Sequence, residues 1–256
     1  MVANRYGDGS VLFALDFEGY QLETQNTALE IGGLSDAGAG KIAINGDGSL
    51  RLCTGQTLWA IAPTYDRFVW KYIAGGKITS SPVIGRDERV YFGCEDGCLY
   101  CIKPDGTLAW KFDAGSKIVS TPLIGGDGHI YLATENGIAF VVAFRDILDK
   151  DGKKIAEEGK MLWRFPKNAG ENMGSIQGGL AMNDGGLLLV PSTNWQLYAV
   201  QTDARGLGEV SWPRYAYNSQ NTSGISYIPS SLSITMKNAP HIVRMEGEKV
   251  TLEVEA

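Results

Sequence analysis

An all-β protein of repeated four-stranded antiparallel sheets is the fold class this sequence predicts, and three observations predict it. A tryptophan phrase recurs: F-V-W-K-Y around Trp70, L-A-W-K-F around Trp110, M-L-W-R-F around Trp163 and V-S-W-P-R-Y around Trp212. Self-similarity at a period of roughly 40–50 residues marks a stacked architecture, in which a unit buries its apolar faces only against a neighbour. Glycine is abundant, at 33 of 256 residues, which suits many tight turns. Short apolar runs of strand length alternate with these turns, and the 3.6-residue period of a helix is not visible.

The unit from Lys77 to Ser116 shows the elements in order. I-T-S-S-P-V-I-G (78–85) is an edge strand, because its proline cannot donate to a ladder. The turn R-D-E-R leads into V-Y-F-G-C (90–94). Glu95-Asp96-Gly97 is a hairpin turn in which glycine supplies a positive φ. C-L-Y-C-I (98–102) returns, Pro104-Asp105-Gly106 turns again, and T-L-A-W-K-F (107–112) closes the sheet. Four such strands at this period read as one β-propeller blade. Residues 117–173 repeat the pattern, with the third-to-fourth turn expanded to R-D-I-L-D-K-D-G-K-K-I-A-E-E-G-K (145–160). Residues 36–76 and 174–224 are further blades, and 1–35 is the second half of an earlier one. That makes about four full blades plus a partial one.

Bulk properties exclude several classes. The net charge is −6 without a basic run, so the phosphate-neutralising stripe of a nucleic-acid binder is missing. No apolar stretch approaches the ~20 residues of a membrane-spanning helix. The N-terminus carries no basic segment followed by an apolar one, so no signal peptide is visible. Four cysteines are too few for a disulfide scaffold.

The phrase S-S-P-V-I-G…V-Y-F-G-C-E-D-G-C-L-Y-C-I-K-P-D-G-T-L-A-W-K-F (80–112), with its copies, resembles the quinoprotein-type, or PQQ-like, β-propeller repeat. The likeness covers roughly residues 8–224. W-P-R-Y-A-Y-N-S-Q-N-T-S-G (212–224) is similar to a segment often found beside such propellers. Rings of this family usually have seven or eight blades. The chain is therefore either the C-terminal part of a larger ring or a small ring closed by its own ends. The mid-blade start favours the first, with the remaining blades of a longer parent as partners. The pattern E-G-E-K-V-T-L (246–252) resembles the start of an immunoglobulin-like module, so 225–256 reads as a linker and a truncated module.

The family holds quinone-dependent dehydrogenases, outer-membrane assembly lipoproteins and surface proteins without assigned activity. The dehydrogenases use PQQ with calcium and an adjacent cysteine pair, and no Cys-Cys step exists here. The expectation is a non-enzymatic binding scaffold of a modular cell-surface or secreted protein, needing no cofactor. Its setting is extracytoplasmic by resemblance, and its partner a protein or surface polymer. Part of a PQQ dehydrogenase and an outer-membrane protein assembly factor are the alternatives.

Individual residues divide by whether the repeat explains them. Trp70, Trp110, Trp163 and Trp212 recur at one blade position and are expected to dock blade on blade. Lys77 and Lys117, with Glu95, Asp96, Glu135, Asn136 and Asn194, should ring one end of the propeller as a binding rim, where loops carry function. Trp195 stands where neighbouring hairpins have Gly97 and Gly137, and an exposed indole there could touch a partner. No catalytic or metal-ligating set emerges. Cys98 and Cys101 should face opposite sides of a strand, while Cys94 and Cys98 could pair across their hairpin. Asp149-Lys150-Asp151-Gly152 echoes a calcium loop, but Ile147 stands at its first ligand position. His129 and His241 lack a partner motif.

Overall fold

The computed structural model describes residues 2–6, 9–13, 29–32, 41–65, 67–168 and 170–214, the first three segments as backbone strands alone. The expected immunoglobulin-like start, and His241 with it, lie outside the described residues.

The described residues form five antiparallel sheets and no helix. Blade one holds β1 (Val2–Tyr6), β2 (Gly9–Phe13) and β3 (Leu29–Gly32). Blade two holds β4 (Lys41–Ile44), β5 (Leu50–Thr54), β6 (Thr57–Ile61) and β7 (Phe68–Ile73). Blade three runs through β8 (Val83–Ile84), β9 (Val90–Gly93), β10 (Cys98–Ile102) and β11 (Leu108–Asp113). Blade four has β12 (Leu123–Ile124), β13 (Ile130–Ala133), β14 (Ala139–Leu148) and β15 (Lys154–Phe165). Blade five has β16 (Ala181–Met182), β17 (Leu187–Pro191) and β18 (Leu197–Gln201). Within each sheet the strands lie in sequence order, the meander of a propeller blade.

Strand alternation explains how the blades stack. Val90, Phe92, Cys98, Tyr100 and Ile102 share a core with Cys53, Leu58, Trp70 and Tyr72 of blade two. The opposite face of the same sheet, with Tyr91, Leu99, Cys101 and Trp110, packs on Ile118, Ile124, Leu132 and Phe140 of blade four. Blade four packs on blade five through Tyr131, Val141, Ile176, Leu188 and Val190. Each fully buried large apolar side chain contributes roughly 1.5–3 kcal/mol, so the seams are the main source of stability. Cys98 and Cys101 do face opposite cores, and all four cysteines are buried free thiols.

Two of the docking tryptophans, Trp70 and Trp110, are each seated on a glycine of the next blade. A Cβ built on Gly106 would stand 2.7 Å from the Trp70 ring, and one on Gly159 2.5 Å from Trp110. Both glycines lie four residues before the next blade's own tryptophan. Within a sheet, the second strand backs the indole. Tyr91 lies 5.9 Å from Trp110 and Tyr131 6.4 Å from Trp163, while the Arg51 guanidinium covers Trp70 at 5.3 Å.

Two features depart from the repeat. The insertion at 145–160 is an extension of β14 and β15 into one long hairpin, closed by a turn in which Asp149 accepts hydrogen bonds from the backbone of Asp151 and Lys153. Its Glu157 pairs with Arg89 of blade three.

Trp212 does not repeat the outer-strand position of the other three. After β18 the chain turns back and crosses the first strands of blades four and three. Gly208 donates to Ile124, Ile124 to Pro213, and Trp212 exchanges hydrogen bonds of 2.8 and 3.1 Å with Ile84. The Trp212 ring is buried against Ala43 and Ile84. A proline, Pro213, follows Trp212 where a lysine or arginine follows each of the other three tryptophans. In its crossing place only its carbonyl is used.

Candidate protein-binding rim

The backbone brings four of the residues expected at the rim together in pairs. The segment entering each blade runs beside the hairpin turn between its second and third strands. Glu95 N–H donates to the Lys77 carbonyl at 2.9 Å, and Glu135 N–H to the Lys117 carbonyl at 2.8 Å. In blade five the same bond joins Thr193 to Ser175 at 2.9 Å. One lysine and one glutamate thus stand side by side on each of blades three and four, and all but the half-buried Glu135 are exposed.

Three of the expected rim residues are turned to structural work. Asp96 accepts hydrogen bonds from the Tyr100 hydroxyl at 2.5 Å and from Cys98 N–H at 3.0 Å. Burial works to raise its pKa, but these hydrogen bonds outweigh burial and hold it below the usual carboxylate range. Asn136 accepts from the Thr134 hydroxyl at 2.7 Å. Asn194 donates to the Met173 carbonyl at 3.1 Å and bonds Gln196. These side chains bond within their own turns, while Lys77, Glu95, Lys117 and Trp195 are exposed and Glu135 is half-buried.

Trp195 is 98% exposed and has φ +65°, at the position where Gly97 and Gly137 have +84° and +82°. A non-glycine residue in this region costs roughly 1–2 kcal/mol. The reason it fits is steric. Over Gly97 and Gly137 runs the segment entering the following blade: a Cβ on Gly97 would lie 3.2 Å from Ser116 N, and one on Gly137 would collide with the Gly174 carbonyl. Past Gln201 the chain takes the crossing route instead, which leaves room for an indole.

The nucleophile-type side chains outside the rim serve the fold. Ser80 accepts from Gly93 N–H at 2.7 Å, and Ser120 from Ala133 N–H at 3.0 Å. Burial pushes the Cys94 thiol up to about 11 and the Cys101 thiol up to about 12, the behaviour of unreactive core cysteines. His129 pairs with Asp127 at 3.0 Å. The donor set does not fit PQQ with calcium. The chain has no adjacent cysteine pair, and no three metal-ligating side chains converge among the described residues.

The sheets, their meander and the glycine-seated tryptophans define a β-propeller. The chain belongs to the PQQ_2 family, described as outer membrane protein assembly factor BamB, whose model matches residues 48–203, more than half its length. Among solved structures it is similar to BamB from Moraxella catarrhalis, with 20% identity over 65% of this chain and 46% of that one and a TM-score of 0.46. BBS1N, solved in complex with ARL6DN, matches at 13% identity over 82% of this chain and 65% of that one, with a TM-score of 0.50. A protein of unknown function from Bacteroides caccae matches at 11% identity over 80% and 69%, with a TM-score of 0.49. The chain spans about half the length of the Moraxella BamB it matches. No curated protein matches the sequence.

Proposed function

We propose that this chain is a non-enzymatic scaffold in outer-membrane protein assembly, acting outside the cytoplasm and holding a protein partner on its rim. The observation that carries the reading is the repeated Lys-Glu pair of blades three and four, continued on blade five by the strained and exposed Trp195. The family's description supplies the process. An aromatic anchor beside charged neighbours is the composition of a protein-binding patch. Between the scaffold readings, the family description favours envelope assembly over a modular surface protein.

The test is capture of the source organism's outer-membrane assembly components on the immobilised chain. Trp195→Ala combined with Lys117→Glu should lower their retention at least tenfold, with the melting transition unchanged. Equal retention by the variant, or retention of no assembly component, would overturn the reading.

A further inference from the structure

The outer edge of β18 differs from the third strands of blades two, three and four. β6, β10 and β14 are each paired on both sides, with β7, β11 and β15 outermost. Among the described residues β18 is itself outermost. Burial agrees: every residue of β10 is buried, whereas Leu197 is 41% exposed and none of Leu197–Gln201 is fully buried.

The three complete blades show what covers such an edge. Across each sheet, a small side chain on the third strand stands between the second strand and the docking tryptophan. The rows are Arg51–Ala60–Trp70, Tyr91–Cys101–Trp110 and Tyr131–Val141–Trp163. Two residues along, Leu58 faces Tyr72, Leu99 faces Phe112 and Ala139 faces Phe165. Blade five keeps the receiving half of both rows, Leu189–Ala199 and Pro191–Leu197. The chain's own copy of the covering phrase at Trp212 is committed to the inner crossing.

We propose that the β18 edge accepts an extended segment of a partner protein as the fourth strand of blade five. The segment runs antiparallel to β18, with one aromatic side chain opposite Ala199 and a second, two residues on, opposite Leu197. Main-chain hydrogen bonds supply affinity and the two alternate side-chain slots supply selectivity, as in other strand additions. The site lies along a sheet edge rather than on the rim, and the proposal stands without the rim reading.

The probe is a labelled peptide with the sequence of residues 107–115, T-L-A-W-K-F-D-A-G, added to the full chain. The expected result is saturable binding with slowed amide exchange at 197–201. A peptide with both aromatic residues replaced by alanine should bind at least tenfold more weakly. Ala199→Arg, which places a charged side chain in the first slot, should weaken the parent peptide by a similar factor. The alanine peptide leaves the protein unaltered, so that arm does not depend on the variant folding. Equal binding of both peptides overturns the proposal. So does slow exchange at 197–201 in the free chain, which would mean that the chain's own residues fill the edge. Concentration-dependent protection of the same amides without peptide would assign the edge to a second copy, and overturns it too.

Discussion

The seam between blades two and three and the seam between blades three and four meet one demand in two ways. In both, an indole is laid flat on a glycine, Trp70 on Gly106 and Trp110 on Gly159. In the first, a tight turn brings the Pro104 carbonyl to the indole N–H at 2.8 Å. In the second, the long β14–β15 hairpin replaces that turn, and the Trp110 N–H has no hydrogen-bond partner among the described residues. The second seam gains instead the Arg89–Glu157 pair, with one hydrogen bond of 2.9 Å, joined by Lys154. The apolar seat is common to these two seams, and the polar fastening around it differs. An unpaired buried N–H costs about 1–3 kcal/mol, comparable to what a charge-assisted hydrogen bond returns.

The largest test of this comparison is the glycine pair. Gly159→Ala should destabilise the chain by about 1–3 kcal/mol, because the new methyl overlaps the Trp110 ring. Gly106→Ala should cost about 1 kcal/mol more, since Gly106 also has φ +84°. Denaturant unfolding of the two variants measures the difference, and equal losses would mean that only the overlap matters.

The ion pair is the next test. The Arg89 guanidinium bonded to Glu157 lowers that carboxyl from its ordinary 4.5 to about 2. A depressed carboxylate stabilises the fold fully above pH 4.5 and loses this contribution as pH falls through 2. Glu157→Gln should therefore cost about 1–3 kcal/mol at neutral pH. The gap between the two proteins should close in acid. A constant gap across that range would show that packing, rather than charge, fastens the second seam.

The smallest effect has the opposite sign. Trp195→Gly should raise stability by about 1 kcal/mol, because glycine relieves the left-handed backbone. The same unfolding measurement reports it. A loss of stability would mean that the indole packs on its own blade.

Much of this was legible in the residues and some was not. Trp70, Trp110 and Trp163 announced the blades because a large side chain recurs at one place in each outermost strand. The seats of Trp70 and Trp110 are readable too, as a glycine four residues before the following tryptophan. Strand direction fixes which turns share an end, and the backbone bonds of Glu95 to Lys77 and of Glu135 to Lys117 follow from it. Asp96, Asn136 and Asn194 also bond within their own turns, as short polar side chains there do. Trp212 followed the phrase but not the position. The phrase crosses the first strands of blades three and four instead, and among the described residues β18 is outermost in its sheet.

The crossing segment also bears on how the molecule comes together. Neighbouring blades touch through residues close in sequence, so their seams can close in any order and early. The bridge from Trp212 to Ile84 spans about half the chain's length, and contacts of such separation wait until the intervening chain is arranged. Trp212 should report the last kinetic phase of refolding and the first of unfolding, a native clock hand set by the C-terminal end of the array.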